Sequence, residues 1–327
     1  MSKKHRTLGI PEALELPKFE GVLWDMHAHL DMVVQYLKDI QRTQEIKILS
    51  ISEIADAAVL SGISGILHCA CELEGVFEIG NVLDEIATVD GIYLAGAVAI
   101  HPNEAVLHEA GKGGHFEVLE VAPDGQNIPK LLLNHLEYSI EEAVEKVYET
   151  IKKDARIKVV GETGLDYFRT ATSGKSAQKR SFNEHIRIAK ELNLPVQIHD
   201  RDAHEDVVKI LCDTKPEVVL FHSFSGDENL AQVCIDNGWY TSFSGTVTFK
   251  SAESQRNAFR LILEKAPELL LIETDAPFLT PVPHRGSANA PSIIPYTLKY
   301  LADYFELDIV LLCEQIASNQ VQLISGA

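Results

Sequence analysis

Cysteine is scarce. The five residues, Cys69, Cys71, Cys212, Cys234 and Cys313, are odd in number and form no C-x-x-C pair. That pattern argues against a zinc ribbon or a disulfide framework and points to a reducing compartment. Long apolar runs are also missing, so nothing in the sequence is fit to span a bilayer as a helix. The opening stretch MSKKHRTLGIPEALELPKFE is basic at first but lacks the apolar segment of a secretory signal. Positive charge is in short supply. Against 48 Asp and Glu stand 29 Lys and Arg, for a formal net charge of −19. Such a balance disfavours broad, non-specific nucleic-acid binding through a basic surface. It leaves room for a metal-centred site that neutralises a phosphate locally. The expectation is a cytoplasmic protein with no membrane association and no evident obligate protein partner.

What the chain does have suits a full hydrophobic core: 327 residues, 46% of them hydrophobic. After VLWDMH, short apolar runs recur as GILHCA, IYLAGAVAI, IKVVGE, LPVQIH, EVVLFHS, WYTSFSG and LLLIETD. Amphipathic stretches separate nearly all of them. ISEIADAAVLSG reads as a helix starting near Ser52 and ending at Gly62, and SIEEAVEKVYETIKKD as a helix capped by Ser139 with Glu142 completing a capping box. Eight strands alternating with helices predict a parallel sheet with right-handed crossovers. At this length a (β/α)8 TIM barrel fits better than an open doubly wound sheet, and no G-x-G-x-x-G follows the first strand. The expected organisation is an N-terminal arm, residues 1–20, then one domain over 21–327 with an insertion at 102–137 after strand three. Within that insertion FEVLEV, APDG and IPKLLL predict a hairpin. A long loop on that face reads as a lid or as a passive surface insertion. Its histidines His108, His115 and His135 receive no role.

Barrel chemistry sits where strands finish at their carboxyl ends. Strand one supplies His27 and His29, which two-residue spacing aims into one space. Strand four supplies Glu162, strand five His199, strand six His222 and strand eight Asp275. Each has a structural alternative, a helix cap or a bond to a nearby carbonyl. That alternative does not explain why these strands in particular all finish in residues able to bind a metal. Four imidazoles and two carboxylates are too many for a lone structural zinc. They suit two divalent cations sharing one carboxylate, with Zn, Mn, Fe or Co fitting the mixed set best and Mg also compatible.

In order along residues 22 to 320, MHAHLD, VGETGLDY, QIHDRDA, HSFSG and ETDAPFLTP resemble the successive motifs of the TatD family of metal-dependent deoxyribonucleases, in the amidohydrolase superfamily. PVPHRGSANAP resembles the family's Arg-Gly and Asn-x-Pro segment. The resemblance implies that His27, His29 and Asp275 hold one metal, that His199 and His222 hold the other, and that Glu162 bridges them. Many related amidohydrolases carry a carboxylated lysine at the bridging position, so Glu162 favours the TatD branch. Departures are Ser223 in place of the family's cysteine, Ala99 in place of the glycine of Gly-x-His-Pro, and the extra length of the arm and the insertion.

The chemistry this implies is attack by a metal-activated water, with Asp275 orienting it and taking its proton. Arg201, Arg285 and, with less support, His101 are the candidates for holding a phosphate. For each arginine a surface ion pair is the structural alternative. Phe224 reads as core packing ahead of base stacking. DNA, held locally at the metal site, is the expected substrate, with 3′→5′ exonuclease action as the family implies. The alternatives are a dinuclear amidohydrolase acting on a small ester, lactone or amide or on D-aminoacyl-tRNA, and a barrel kept as a binding scaffold.

Overall fold

The computed structural model describes residues 9–119 and 131–326. The elements run in chain order as β1 (Trp24–Ala28), α1 (Leu30–Gln41), α2 (Ile51–Leu60), β2 (Gly65–Ala70), α3 (Leu73–Ile86), β3 (Tyr93–Val98) and α4 (Pro102–Ala110). They continue as α5 (Leu133–Glu137), α6 (Ile140–Lys153), β4 (Ile157–Asp166), α7 (Lys175–Leu192), β5 (Val196–Arg201), α8 (His204–Thr214), β6 (Val219–Phe221) and α9 (Glu228–Asn237). The last are β7 (Tyr240–Phe243), α10 (Glu253–Lys265), β8 (Leu270–Ile272), α11 (Ile294–Phe305) and α12 (Ile309–Ser325). The eight strands form one sheet in the order β1 to β8, and the fold class is a (β/α)8 barrel. Strands of such a sheet are covered on both faces and therefore read as continuous apolar runs. GILHCA, VLF and LLI are buried at every position. Among the described residues no helix is long and apolar enough to cross a membrane.

Contacts group the chain into two compact units. The first takes in residues up to His68, Asn81–Ala95 and Gly226–Gly326. There β1 pairs with β2, β7 with β8, and Ala28 bridges Ala276 just past β8, all in parallel. The core of this unit includes Leu23, Met26, Ile66, Phe243 and Phe259. Residues 9–20 contain no helix or strand. They are tied down by a hydrogen bond from the Tyr296 hydroxyl to the Glu12 carbonyl and by one from the Glu20 amide to Glu314 Oε1.

The second unit comprises Cys69–Gly80 and Gly96–Ser225. From Gly96 of β3 onward, its strands through β6 pair in sequence, again in parallel. Strand β4 differs from its sequence expectation. IKVVGE would stop at Glu162, but the ladder with β5 runs on through Gly164 opposite His199 to Asp166 opposite Arg201. Gly164 permits this. It sits at φ +142°, and a Cβ there would meet the His199 carbonyl at 2.1 Å. Glu162 therefore lies inside the strand rather than at its end.

Two other expectations need correction. The α2 N-cap is Ser50, whose hydroxyl and Glu53 form a full capping box, so the cap lies two residues before Ser52 and the helix begins at Ile51. The capping box of Ser139 and Glu142 on α6 is present as expected. The hairpin foreseen in the insertion is not found at its described ends. Phe116–Leu119 is a 3-10 turn and Leu133–Glu137 is α5, while the APDG turn lies outside the described residues. Val106, Ala110 and Val118 bury themselves together with Leu119 and Leu131 against them. A local apolar cluster thus overrode the strand propensity of FEVL.

Candidate metal centres

In the first unit the donors come from β1 and from the segment after β8. His27 Nε2 and His29 Nε2 lie 3.0 Å apart, and Asp275 Oδ1 is 3.8 Å and 3.7 Å from them. Main-chain bonds hold the two segments together. The Asp275 amide donates to the His27 carbonyl and the His29 amide to the Ala276 carbonyl, both at 2.9 Å. Beneath them Asp25 is fully buried. It accepts from the Thr274 amide at 2.9 Å, the Thr274 hydroxyl at 2.5 Å and the His27 amide at 3.2 Å. Burial outweighs these bonds and pushes the Asp25 carboxyl up to about 8. Asn289, from the Asn-x-Pro segment, donates to the carbonyls of Thr274 and Phe278 and so fixes the turn carrying Asp275. Asp275 itself adopts φ +56°. Aspartate tolerates this left-handed conformation better than most residues, and such backbone tension concentrates at functional positions.

In the second unit the donors come from β4, β5 and the residue after β6. Glu162 Oε2 is 2.6 Å from His222 Nε2 and 3.0 Å from His199 Nδ1, and the two imidazole nitrogens are 3.3 Å apart. His101 joins the edge of this group. Its Nε2 is 4.0 Å from Glu162 Oε1 and its ring centroid 4.5 Å from that of His199. Burial and the neighbouring His199 push His101 down to about 3, so it is a neutral imidazole. Burial opposes charge on His199 too, but the carboxylates of Asp166 and Glu162 prevail and raise it to about 9.

Both groups fit a divalent cation. Bonds of about 2.1 Å place adjacent donors about 3.0–3.4 Å apart around an octahedral or tetrahedral ion. The six separations here run from 2.6 to 3.8 Å. Each group mixes imidazole with carboxylate, the donor set that borderline cations prefer.

Residues 24–325 match the family described as TatD related DNase. The chain belongs to this family. As a TatD-family chain it is 40% identical, over 170 residues, to the uncharacterized metal-dependent hydrolase TatD of Mycobacterium tuberculosis; the match covers 50% of this chain and 63% of that protein. To the uncharacterized metal-dependent hydrolase YcfH of Escherichia coli K12 it is 43% identical over 148 residues, 45% of this chain and 54% of that one. These matches thus span less than two thirds of either relative. The crystal structure of YjjV, a TatD homologue from Escherichia coli K12, superposes with a TM-score of 0.68 at 21% identity, covering 93% of this chain and 98% of that one. That likeness speaks for the fold.

The substrate candidates of this TatD-family chain are placed as follows. Arg201 closes β5 two residues beyond His199 and is half-buried. Its guanidinium lies 4.1 Å over the Phe168 ring. Arg285, exposed in the first unit, lies 3.9 Å over Phe249. Among the described residues neither forms an ion pair. Phe224 is buried edge-on to Phe221 and packs the core. His108 and His135 are buried inside the insertion, where His108 Nδ1 bonds the Tyr138 carbonyl and His135 Nε2 bonds Glu104. His115 is exposed near Glu117.

Sequence reasoning passed over Asp166 and Asn103. Asp166 is buried, with Oδ2 3.5 Å from His199 Nε2 and 3.1 Å from Asn103 Nδ2. Period-two alternation carried a signal: residues 162, 164 and 166 share one face of β4. The signal is masked because the apolar run IKVVGE ends at Glu162, four residues short of the strand's end.

Proposed function

We propose that the protein is a metal-dependent hydrolase cleaving phosphodiester bonds at DNA ends, with 3′→5′ exonuclease polarity. One divalent ion is assigned to His27, His29 and Asp275 and a second to Glu162, His199 and His222. The family resemblance gives Glu162 to both ions, and that sharing is part of the proposal. The observation carrying the reading is the pair of donor triads, each spaced for one cation, in a TatD-family chain.

Divalent ions bound there would supply Lewis acidity, lowering the pKa of water and drawing charge from a phosphoryl oxygen. Asp275, half-buried beside His27 and His29, accepts the proton of the attacking water. Arg201 and Arg285 keep their donor edges for phosphate because each is stacked on a ring and, among the described residues, is paired with no carboxylate. Neutral His101 sits beside Glu162 and can hydrogen-bond an uncharged or anionic oxygen of substrate. A cytoplasmic setting belongs to the same reading and is supported by five free cysteines.

The test is cleavage of a labelled single-stranded oligonucleotide by protein loaded with Mg, Mn or Zn, beside a panel of esters, lactones, amides and D-aminoacyl-tRNA. Metal-dependent shortening from the 3′ end supports the nuclease. Turnover only within the panel moves the substrate to the second reading, which the net charge of −19 favours.

A further inference from the structure

We infer that Asp166 is a positioning residue for His199, and that Asn103 ties it to the first helix of the insertion. The inference rests on the proposed metal role of His199. That side chain turns Nδ1 toward Glu162 and His222, at 3.0 Å and 3.3 Å. Its other nitrogen, Nε2, is buried and faces Asp166 Oδ2 at 3.5 Å. The ring is thus held between two carboxylates, and only one of its nitrogens points at the donor triad. A carboxylate behind a metal-binding imidazole sets the tautomer, keeping the proton on the far nitrogen so that the near one has a lone pair to give.

Asp166 is itself immobilised. It is 1% exposed. Its Oδ1 accepts from the Arg169 amide at 2.8 Å and its Oδ2 from Asn103 Nδ2 at 3.1 Å. Its own amide donates to Gln178 Oε1 at 3.0 Å, and Gln178 Nε2 donates to the Thr170 hydroxyl at 2.6 Å. That hydroxyl donates to Asn103 Oδ1 at 3.1 Å, closing the network. With both oxygens already accepting hydrogen bonds, Asp166 is built to orient a neighbour. Asn103 lies in the first turn of α4, and its amide donates to His101 Nδ1 at 3.1 Å. A single residue of the insertion therefore holds both His101 and the carboxylate behind His199.

Asp166→Asn preserves shape and removes the charge. Titration of the metal-free protein with Zn²⁺ against a chelating dye would show the uptake assigned to His199 weakened about 10–100-fold, the usual cost of losing such a partner. Nitrogen NMR of the metal-free protein, at a pH alkaline enough to leave the ring neutral, would show the His199 tautomer changed or mixed. Asp166→Glu would recover part of the affinity, and Asn103→Ala would lose less than Asp166→Asn. Should Asp166→Asn not fold, Asn103→Ala carries the same two readouts, because it leaves the carboxylate in place and frees only the Oδ2 that faces His199. Affinity within about twofold of wild type and an unchanged His199 tautomer would overturn the inference. A wild type that takes up no Zn²⁺ at this triad would overturn the metal reading along with it. A wild type that binds while Asp166→Asn binds equally well would overturn only the part given to Asp166.

Discussion

The two donor triads are built by different means. In the first unit the main chain does most of the positioning. Two amide-to-carbonyl bonds join β1 to the segment after β8, and buried Asp25 pins both from below. In the second unit side chains do it. His199 is braced by Asp166, and Asp166 by Asn103, Arg169 and Gln178. A triad held by backbone depends on few side-chain identities outside itself. One held by side chains can be tuned by residues remote from it, including one on the insertion.

The strongest way to break this comparison is Glu162→Ala. It should abolish turnover and strip metal from the second triad, and under the sharing proposal from the first as well. Elemental analysis of purified protein decides: one ion retained would confine Glu162 to its own triad and leave the two groups independent.

Asp25→Ala tests the backbone-built triad. It leaves the Thr274 and His27 amides without their buried acceptor, while the Thr274 hydroxyl keeps only the His27 carbonyl at 3.4 Å. The expected cost is about 2–6 kcal/mol of stability, from two unsatisfied amides at about 1–3 kcal/mol each. Denaturant midpoints would report it, and Asp25→Asn, which keeps an acceptor, should lose less. A near-neutral Asp25→Ala would show that the main-chain bonds suffice.

A pH series sharpens the contrast on the side-chain-built side. His185 of α7 is buried and neutral, with Nδ1 donating to the Ser181 carbonyl and Nε2 accepting from the Ile100 amide at 3.0 Å. Burial lowers its pKa to about 4 from an ordinary 6.5. The unfolded chain therefore takes up the proton first as pH falls. The stability His185 contributes is full above pH 6.5 and is lost on descent toward 4. The loss is about 3 kcal/mol at most, at about 1.4 kcal/mol per unit. Thermal or chemical melts across that window should show the slope, and His185→Gln should flatten it.

The smallest effect is expected for Arg201→Ala. It should keep its metal and lose about 1.5–3 kcal/mol in kcat/KM on a phosphodiester, the worth of a hydrogen bond to a charged group. Unchanged kinetics would remove Arg201 from the substrate site.

The alternation of apolar runs with amphipathic stretches was enough to read eight strands and the barrel class, because side-chain periodicity is a local property. Helix α6 was legible through Ser139 and Glu142, whose capping box spans four residues. Helix α1 begins one residue past His29 with no side-chain cap to mark its start, so the sequence around the histidine pair does not announce it. The length of β4 was illegible for another reason. Nothing local marks Gly164 as the point where the His199 carbonyl comes too close for any side chain. The helical ends of the insertion were decided by Val106, Ala110 and Val118, whose mutual burial no short window contains.

By itself, then, the sequence determined the class of fold, the family resemblance and the residues with metal-binding chemistry, all of which depend on residue type and spacing along the chain. The tertiary structure decided that donor atoms from residues 27, 29 and 275 come within 3.8 Å of one another. It also decided that two arginines stack on rings, and that Asp166 stands behind His199. These are contacts between segments far apart in the chain. Strand register, buried hydrogen-bond networks and close backbone approach set them, and those exist only once the chain has packed.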